Sequence, residues 1–309
     1  MGLFGGRKSA ASLTLSPQGP YRAGDTITVS IDLDEAVEGV TSAKVELGYL
    51  NVFRYQWAGS KDALLAQGND SLLTMGQVGT NYGSEKDGKE WVHVLDEPLT
   101  VAGGALANGN HQVAVRLPSW SPGSSAEVVQ WQARLKVERS GKDISAQTPL
   151  TVLIAAPEPA PASADMPLIQ GERAIANDLE FEVETERACY KPGDEIRGTI
   201  AVTPRTFIDR TALFAVWCQR VQESHPVEKN PGSAIESFTR PIVNIVKDVQ
   251  LVQHQRTEVP FTVTLPNEVD PTTEAVHSSI NWFVQVKVEF SGMTGAIERA
   301  QRGIVVYTG

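Results

Sequence analysis

Two stretches of this chain read alike without a gap: Val129-Gln-Trp-Gln-Ala-Arg-Leu-Lys-Val-Glu138 and Ile280-Asn-Trp-Phe-Val-Gln-Val-Lys-Val-Glu289. Both alternate apolar and polar residues at period two, the mark of a strand buried on one face. In the second, Ile280, Trp282, Val284, Val286, Val288 and Phe290 fall on one face, opposite Asn281, Gln285, Lys287 and Glu289. That pattern predicts a long strand at the centre of a sheet. The likeness extends upstream, where Leu117-Pro118 answers Leu265-Pro266 and Tyr21 through Asp25 answers Tyr190 through Asp194. Three matches in the same order are what a duplicated β domain leaves in a sequence.

The remaining segments agree with strands. Ile27, Val29, Ile31 and Leu33 alternate with threonine, serine and aspartate, and Ser42 to Trp57 continues as a second long strand. Further strands are expected at Glu90–Val94, at His111–Leu117 before Pro118, at Leu179–Val183, at Ile196–Val202 and at Pro260–Leu265 before Pro266. Proline stops a ladder because it has no N–H to donate. Ala212 to Cys218 is a continuous apolar run whose valine and aromatic content favours a buried strand over a helical turn. Only Lys61–Gln67 and Thr272–His277 have room for a turn or two of helix, so the chain is expected to be all-β, built as sandwiches or barrels.

A chain of 309 residues exceeds what one core usually fills, and Ala155 to Pro167, rich in proline and alanine, supplies a semi-rigid linker. The expected division is an N-terminal sandwich over residues 10–154, a linker over 155–175 and a C-terminal sandwich over 176–309. Two polar stretches, Gly59 to Gly88 and Gln222 to Pro241, read as long loops, which in compact domains are usually functional or disordered.

In combination these motifs resemble the arrestin fold family. Its halves tend to carry Y-x-P-G-D-x-I-x-G, then F-x-F-x-L-P, then a P-x-S/T turn, then an aromatic-centred strand. The second half supplies Tyr190-Lys-Pro-Gly-Asp-Glu-Ile-Arg-Gly198, Phe261-Thr-Val-Thr-Leu-Pro266, Pro271-Thr272-Thr273 and Ile280-Asn281-Trp282. The first half is more diverged: Ala23 replaces the proline and Thr28 the glycine, Ser119-Trp-Ser-Pro-Gly-Ser124 stands at the turn, and Gly109-Asn110-His111 leads into the Val113 strand. The resemblance implies two tandem arrestin-like, immunoglobulin-like antiparallel β-sandwiches in an adaptor or regulator rather than an enzyme, closest in style to the bacterial sporulation-control proteins of that group. Two features of animal arrestins do not carry over. No cluster matches their buried polar core, and the chain stops at Gly309 without the long tail that holds them inactive, so phosphate-sensing activation is not expected.

Chemistry is sparse. A net charge of −10 argues against nucleic acid and against docking a broad face on anionic lipid. Five histidines, at 93, 111, 225, 254 and 277, show no ligand spacing, and the acidic run of Asp32, Asp34, Glu35 and Glu38 lacks the glycine and alternation of a calcium loop. No metal, cofactor or catalytic residue is expected. Cys189 and Cys218 form no CxxC and are expected as reduced core thiols. The first residues, MGLFGGRKSAASLTLS, hold no apolar run of signal-peptide length, Gly6 breaks the myristoylation pattern begun at Gly2, and no stretch approaches a membrane span. The reading is therefore cytoplasmic. Trp131, Trp217 and Trp282 are expected in the core. Trp57, Leu72, Leu73, Met75, Tyr82 and Trp120, in or beside loops, are the candidate partner-binding residues, since exposed tryptophan is enriched at binding hot spots. The expected partners are proteins, membrane-associated ones included. The alternative is a structural module of a homo-oligomeric or surface assembly.

Overall fold

A computed structural model describes residues 11–56, 85–170, 179–225, 233–238, 242–292 and 297–309, with backbone alone at 55, 56, 85 and 233–238. The described residues form two compact units, one of residues 11–154 with Ala275–Ser278, the other of the remainder.

In the first unit the strands are β1 (Ala11–Ser16), β2 (Tyr21–Arg22), β3 (Thr26–Leu33), β4 (Val37–Glu38), β5 (Val40–Gln56), β6 (Glu85–Pro98), β7 (Ala105–Leu106), β8 (Gly109–Arg116), β9 (Val129–Arg139), β10 (Ile144–Pro149) and β11 (Val152–Leu153). One sheet runs β1-β3-β8 and the other β10-β9-β5-β6, with two-stranded pairs β11-β2 and β4-β7 beside them. The alternation seen in sequence is the alternation of burial. Ile27, Val29, Ile31 and Leu33 on β3 and Val129, Trp131, Ala133, Leu135 and Val137 on β9 are all buried.

The second unit carries β12 (Leu168–Gln170), β13 (Leu179–Thr185), β14 (Cys189–Tyr190), β15 (Glu195–Pro204), β16 (Thr211–Ser224), β17 (Ser233–Phe238), β18 (Val243–Gln250), β19 (Thr257–Thr264), β20 (Thr273–Glu274), β21 (Ser278–Phe290, of which Ser278 falls in the first unit) and β22 (Ile297–Val306). A β13-β15-β19 sheet faces a larger one ordered β12-β22-β21-β16-β17, in which β18 also pairs with β16. The protein is thus all-β, in antiparallel sheets with two short parallel pairs, β2 with β11 and β14 with β22.

Several sequence expectations shift. Gly88 lies inside β6 rather than at a loop end, paired with Phe53, whose ring fills the space a Cβ would need. Gln222–Ser224 belongs to β16, and β17 lies within the stretch read as loop. Polar residues are hard to recognise as strand when their burial is paid for by hydrogen bonds: Arg220, nearly buried, donates to Asp270 at 3.1 Å and to Gln222 at 3.3 Å. Gln285, expected on the outer face, is also buried, its amide donating to the Ala300 carbonyl at 3.2 Å. The proline- and alanine-rich segment is not plain linker throughout. Ser163–Asp165 makes a 3-10 turn, and Leu168–Gln170 pairs antiparallel with Arg302 through Ala300. Within Thr272–His277 the regular element is β20, a strand rather than a helical turn; Lys61–Gln67 lies outside the described residues.

Candidate functional site

The residues shared by the two halves build one hydrogen-bonded node twice. Gly24 and Gly193 take φ of 89° and 84°, a region glycine enters without steric cost. Each donates its N–H across to the leucine that precedes the stopping proline, Leu117 at 2.9 Å and Leu265 at 3.0 Å. Those leucines return an N–H to the carbonyls of Asp25 and Asp194, both at 2.9 Å. The aspartate side chains close the turns by accepting from the Arg22 N–H at 2.7 Å and the Lys191 N–H at 2.8 Å.

The following turn is tied just as symmetrically. Ser124 and Thr272 donate their N–H to Val152 and Val306, each at 2.8 Å, and their hydroxyls accept from the same valines' N–H groups at 2.8 and 2.9 Å. The two duplicated tryptophans then pin that turn from below. Trp131 donates its indole N–H to the Pro122 carbonyl at 2.8 Å and Trp282 to the Asp270 carbonyl at 3.0 Å. Each ring is 1% exposed. This is why tryptophan stands at both positions: one side chain fills core and satisfies a buried loop carbonyl.

The strand register corrects one detail of the motif. Gly198 pairs with Phe261, and the residue in the same place of the first half is Val29, paired with Val113, rather than Thr28. Both pairs face inward. A Cβ on Gly198 would lie 2.6 Å from the Phe261 ring and 2.1 Å from the Glu184 carbonyl oxygen. Glycine with phenylalanine in one half therefore does the filling that valine with valine does in the other.

On this frame the node holds out one side chain. Trp120 sits between Pro118 and Pro122, in the loop that the node fixes at both ends, and is 63% exposed. Its neighbour Ser121 is 3% exposed. Trp57, Leu72, Leu73, Met75 and Tyr82 lie outside the described residues, so of the candidate residues the structure places Trp120.

Sequence reading missed a groove beside the same node. A cavity of about 670 Å³ opens between β1 and the β10–β11 segment of the first unit, lined by Leu13, Leu15, Tyr21, Thr148, Pro149 and Leu150 among others. None of its lining residues is charged. It also missed Asn51, which is fully buried in the first unit. Its amide donates to the Val128 carbonyl at 3.1 Å and the Ser278 hydroxyl at 2.7 Å, and its carbonyl accepts the His277 N–H at 2.7 Å. A lone asparagine in an apolar run carries no signal of such partners.

The electrostatics elsewhere are ordinary for strands. Arg134 stacks over the Trp91 ring at 3.5 Å, and burial lowers its pKa, opposed by the nearby Glu46 carboxylate. No disulfide joins Cys189 and Cys218, and burial raises the Cys189 thiol pKa against the pull of Arg187. Among the described residues no group of three or more histidine, cysteine or acidic side chains stands ready for a metal ion, and no helix is long and apolar enough to cross a membrane.

No protein-family model matches the chain, and no curated protein matches it either. Among solved structures it is similar to Spo0M, the sporulation control protein of Bacillus subtilis, at 17% identity and a TM-score of 0.34, over 43% of this chain and 51% of that one. The match thus spans about half the length of Spo0M.

Proposed function

We propose that this protein is a cytoplasmic, non-enzymatic adaptor or regulator of arrestin-like build, which binds protein partners through the loops at the ends of its sandwiches and along open sheet edges. The observation that carries this reading is Trp120. A large apolar ring is held 63% exposed on a loop whose two flanks are tied into the sheet frame. A pre-fixed aromatic loses little freedom on binding, which is the economy that makes tryptophan a frequent hot spot. The sequence motifs that resemble the arrestin family point the same way.

The test is the affinity of Trp120→Ala for a partner first identified by affinity capture with the wild-type chain and then purified. Removing a hot-spot tryptophan costs about 2 kcal/mol, or roughly 30-fold in affinity. Unfolding stability should move by less than about 0.5 kcal/mol, as for surface substitutions. Unchanged affinity for that partner would remove Trp120 from the interface.

A further inference from the structure

The two halves treat the same groove differently. In the second unit the space between β13 and β22 is filled by the chain's own residues 163–170. Leu168 pairs with Arg302, Ile169 with Gln301 and Gln170 with Ala300, while the Gly303 N–H donates to the Pro167 carbonyl at 2.8 Å. On the β13 side, the Ser163 hydroxyl meets the Thr185 hydroxyl at 2.8 Å and accepts the Thr185 N–H at 3.0 Å, and the Gln170 amide donates to the Leu179 carbonyl at 2.6 Å. Arg302, on the β22 wall, reaches both the opposite wall and the segment itself, donating to the Val183 carbonyl at 2.7 Å and to the Met166 carbonyl at 2.5 Å.

The registers locate the same positions in the first unit. Arg302 pairs with Val284, two residues beyond Trp282; Thr148 pairs with Ala133, two beyond Trp131. Val183 pairs with Ile200, and Leu13 with Ile31. Thr148 therefore stands where Arg302 does, facing Leu13 in place of Val183, and Pro149 stands where Gly303 does. Threonine is too short to bridge the space as Arg302 does, and with no segment of the chain laid there the space is open as the 670 Å³ cavity.

We infer that this first-unit groove is a docking site for an extended, uncharged apolar segment of a partner protein, of the kind the second unit shows in Met166-Pro-Leu-Ile-Gln170. The inference rests on the adaptor reading and names the partner chemistry for it. Three observations favour that occupant. The equivalent groove already holds such a segment. The lining is wholly neutral in a chain of net charge −10, so neither a basic nor an acidic peptide finds a counter-charge there. The volume falls within the roughly 300–1,000 Å³ of ordinary ligand sites. Pro149 also lacks the N–H with which Gly303 anchors its strap, so an added strand is held by fewer backbone bonds and can leave.

The test uses the full chain and a fluorescently labelled peptide, Gly-Met-Pro-Leu-Ile-Gln-Gly, followed by anisotropy. Saturable binding is expected below about 1 mM, a weak association by the usual scale. Leu13→Glu, which puts a charge into the apolar lining, should weaken it at least tenfold, and Leu15→Glu should do the same should the first variant fail to fold. Replacing the peptide's leucine by glutamate should also weaken it at least tenfold. No saturable binding, or equal binding by two folded groove variants, overturns the inference. So does a wild-type dimer that Leu13→Glu dissociates, since a second copy would then be the occupant. Trp120→Ala should leave peptide affinity unchanged, so that loss of the groove and loss of the Trp120 interface are told apart.

Discussion

Gly198→Val is expected to cost the second unit about 3 kcal/mol or more, although valine is the better strand former. Removing a glycine from a strand interior gains about 0.5–1 kcal/mol of backbone entropy. Against this, the new Cβ would sit 2.1 Å from the Glu184 carbonyl oxygen and 2.6 Å from the Phe261 ring. The carbonyl belongs to β13 and cannot swing aside as a flexible side chain would; overpacking alone costs about 1–3 kcal/mol, and a backbone clash adds to it. The first unit shows how the loss can be reduced. Its Val29 faces Val113, so Gly198→Val combined with Phe261→Val should recover at least half of the lost stability, leaving the carbonyl contact as the remainder. Urea unfolding followed by tryptophan fluorescence and circular dichroism reads both effects. A near-neutral single variant would mean that the volume exchange between the two halves has no energetic content.

The second large effect falls on the paired tryptophans. Trp131→Ala and Trp282→Ala should each destabilise their own unit by about 3–5 kcal/mol, the usual cost of truncating a buried aromatic. Each also strands a loop carbonyl, Pro122 or Asp270, that the indole N–H satisfies at 2.8 or 3.0 Å. Trp131→Phe and Trp282→Phe keep most of the apolar area and isolate that bond, at about 1–3 kcal/mol for a buried group left unpaired. The two phenylalanine variants should lose similar amounts. A cost confined to one of them would show that the node is structural in one half and incidental in the other.

The sequence made the frame legible because its signals are local. Period two at Ile27–Leu33, Val129–Val137 and Ile280–Phe290 is written in adjacent residues, and so are the Tyr-x-x-Gly-Asp turns and the Leu-Pro stops. What escaped depends on partners distant in the chain. Thr28 was set opposite the motif glycine by a miscount, since Val29 stands eight residues after Tyr21 as Gly198 does after Tyr190; what only the pairing with β8 shows is that Val113 compensates for the valine. Gln222 to Ser224 reads as polar loop until the β17 backbone is brought beside it. Leu168–Gln170 is too short to announce itself and becomes a strand only by pairing with β22, more than a hundred residues on. The groove was least legible of all, because it comes from a difference, threonine for arginine at one register position, that has no meaning until both units are folded. Trp120 lay between these cases: its loop was readable from two prolines, while its exposure required the fold.

The central claim is that one β-sandwich, closed by one hydrogen-bonded node, is built twice in this chain. Amide hydrogen exchange tests it residue by residue. The account predicts that the N–H groups of Leu117, Gly24 and Val152, and those of Leu265, Gly193 and Val306, exchange as slowly as the central strand amides of their own units, pair matching pair. Fast exchange at all three positions of either unit, with its central strands still protected, would contradict it.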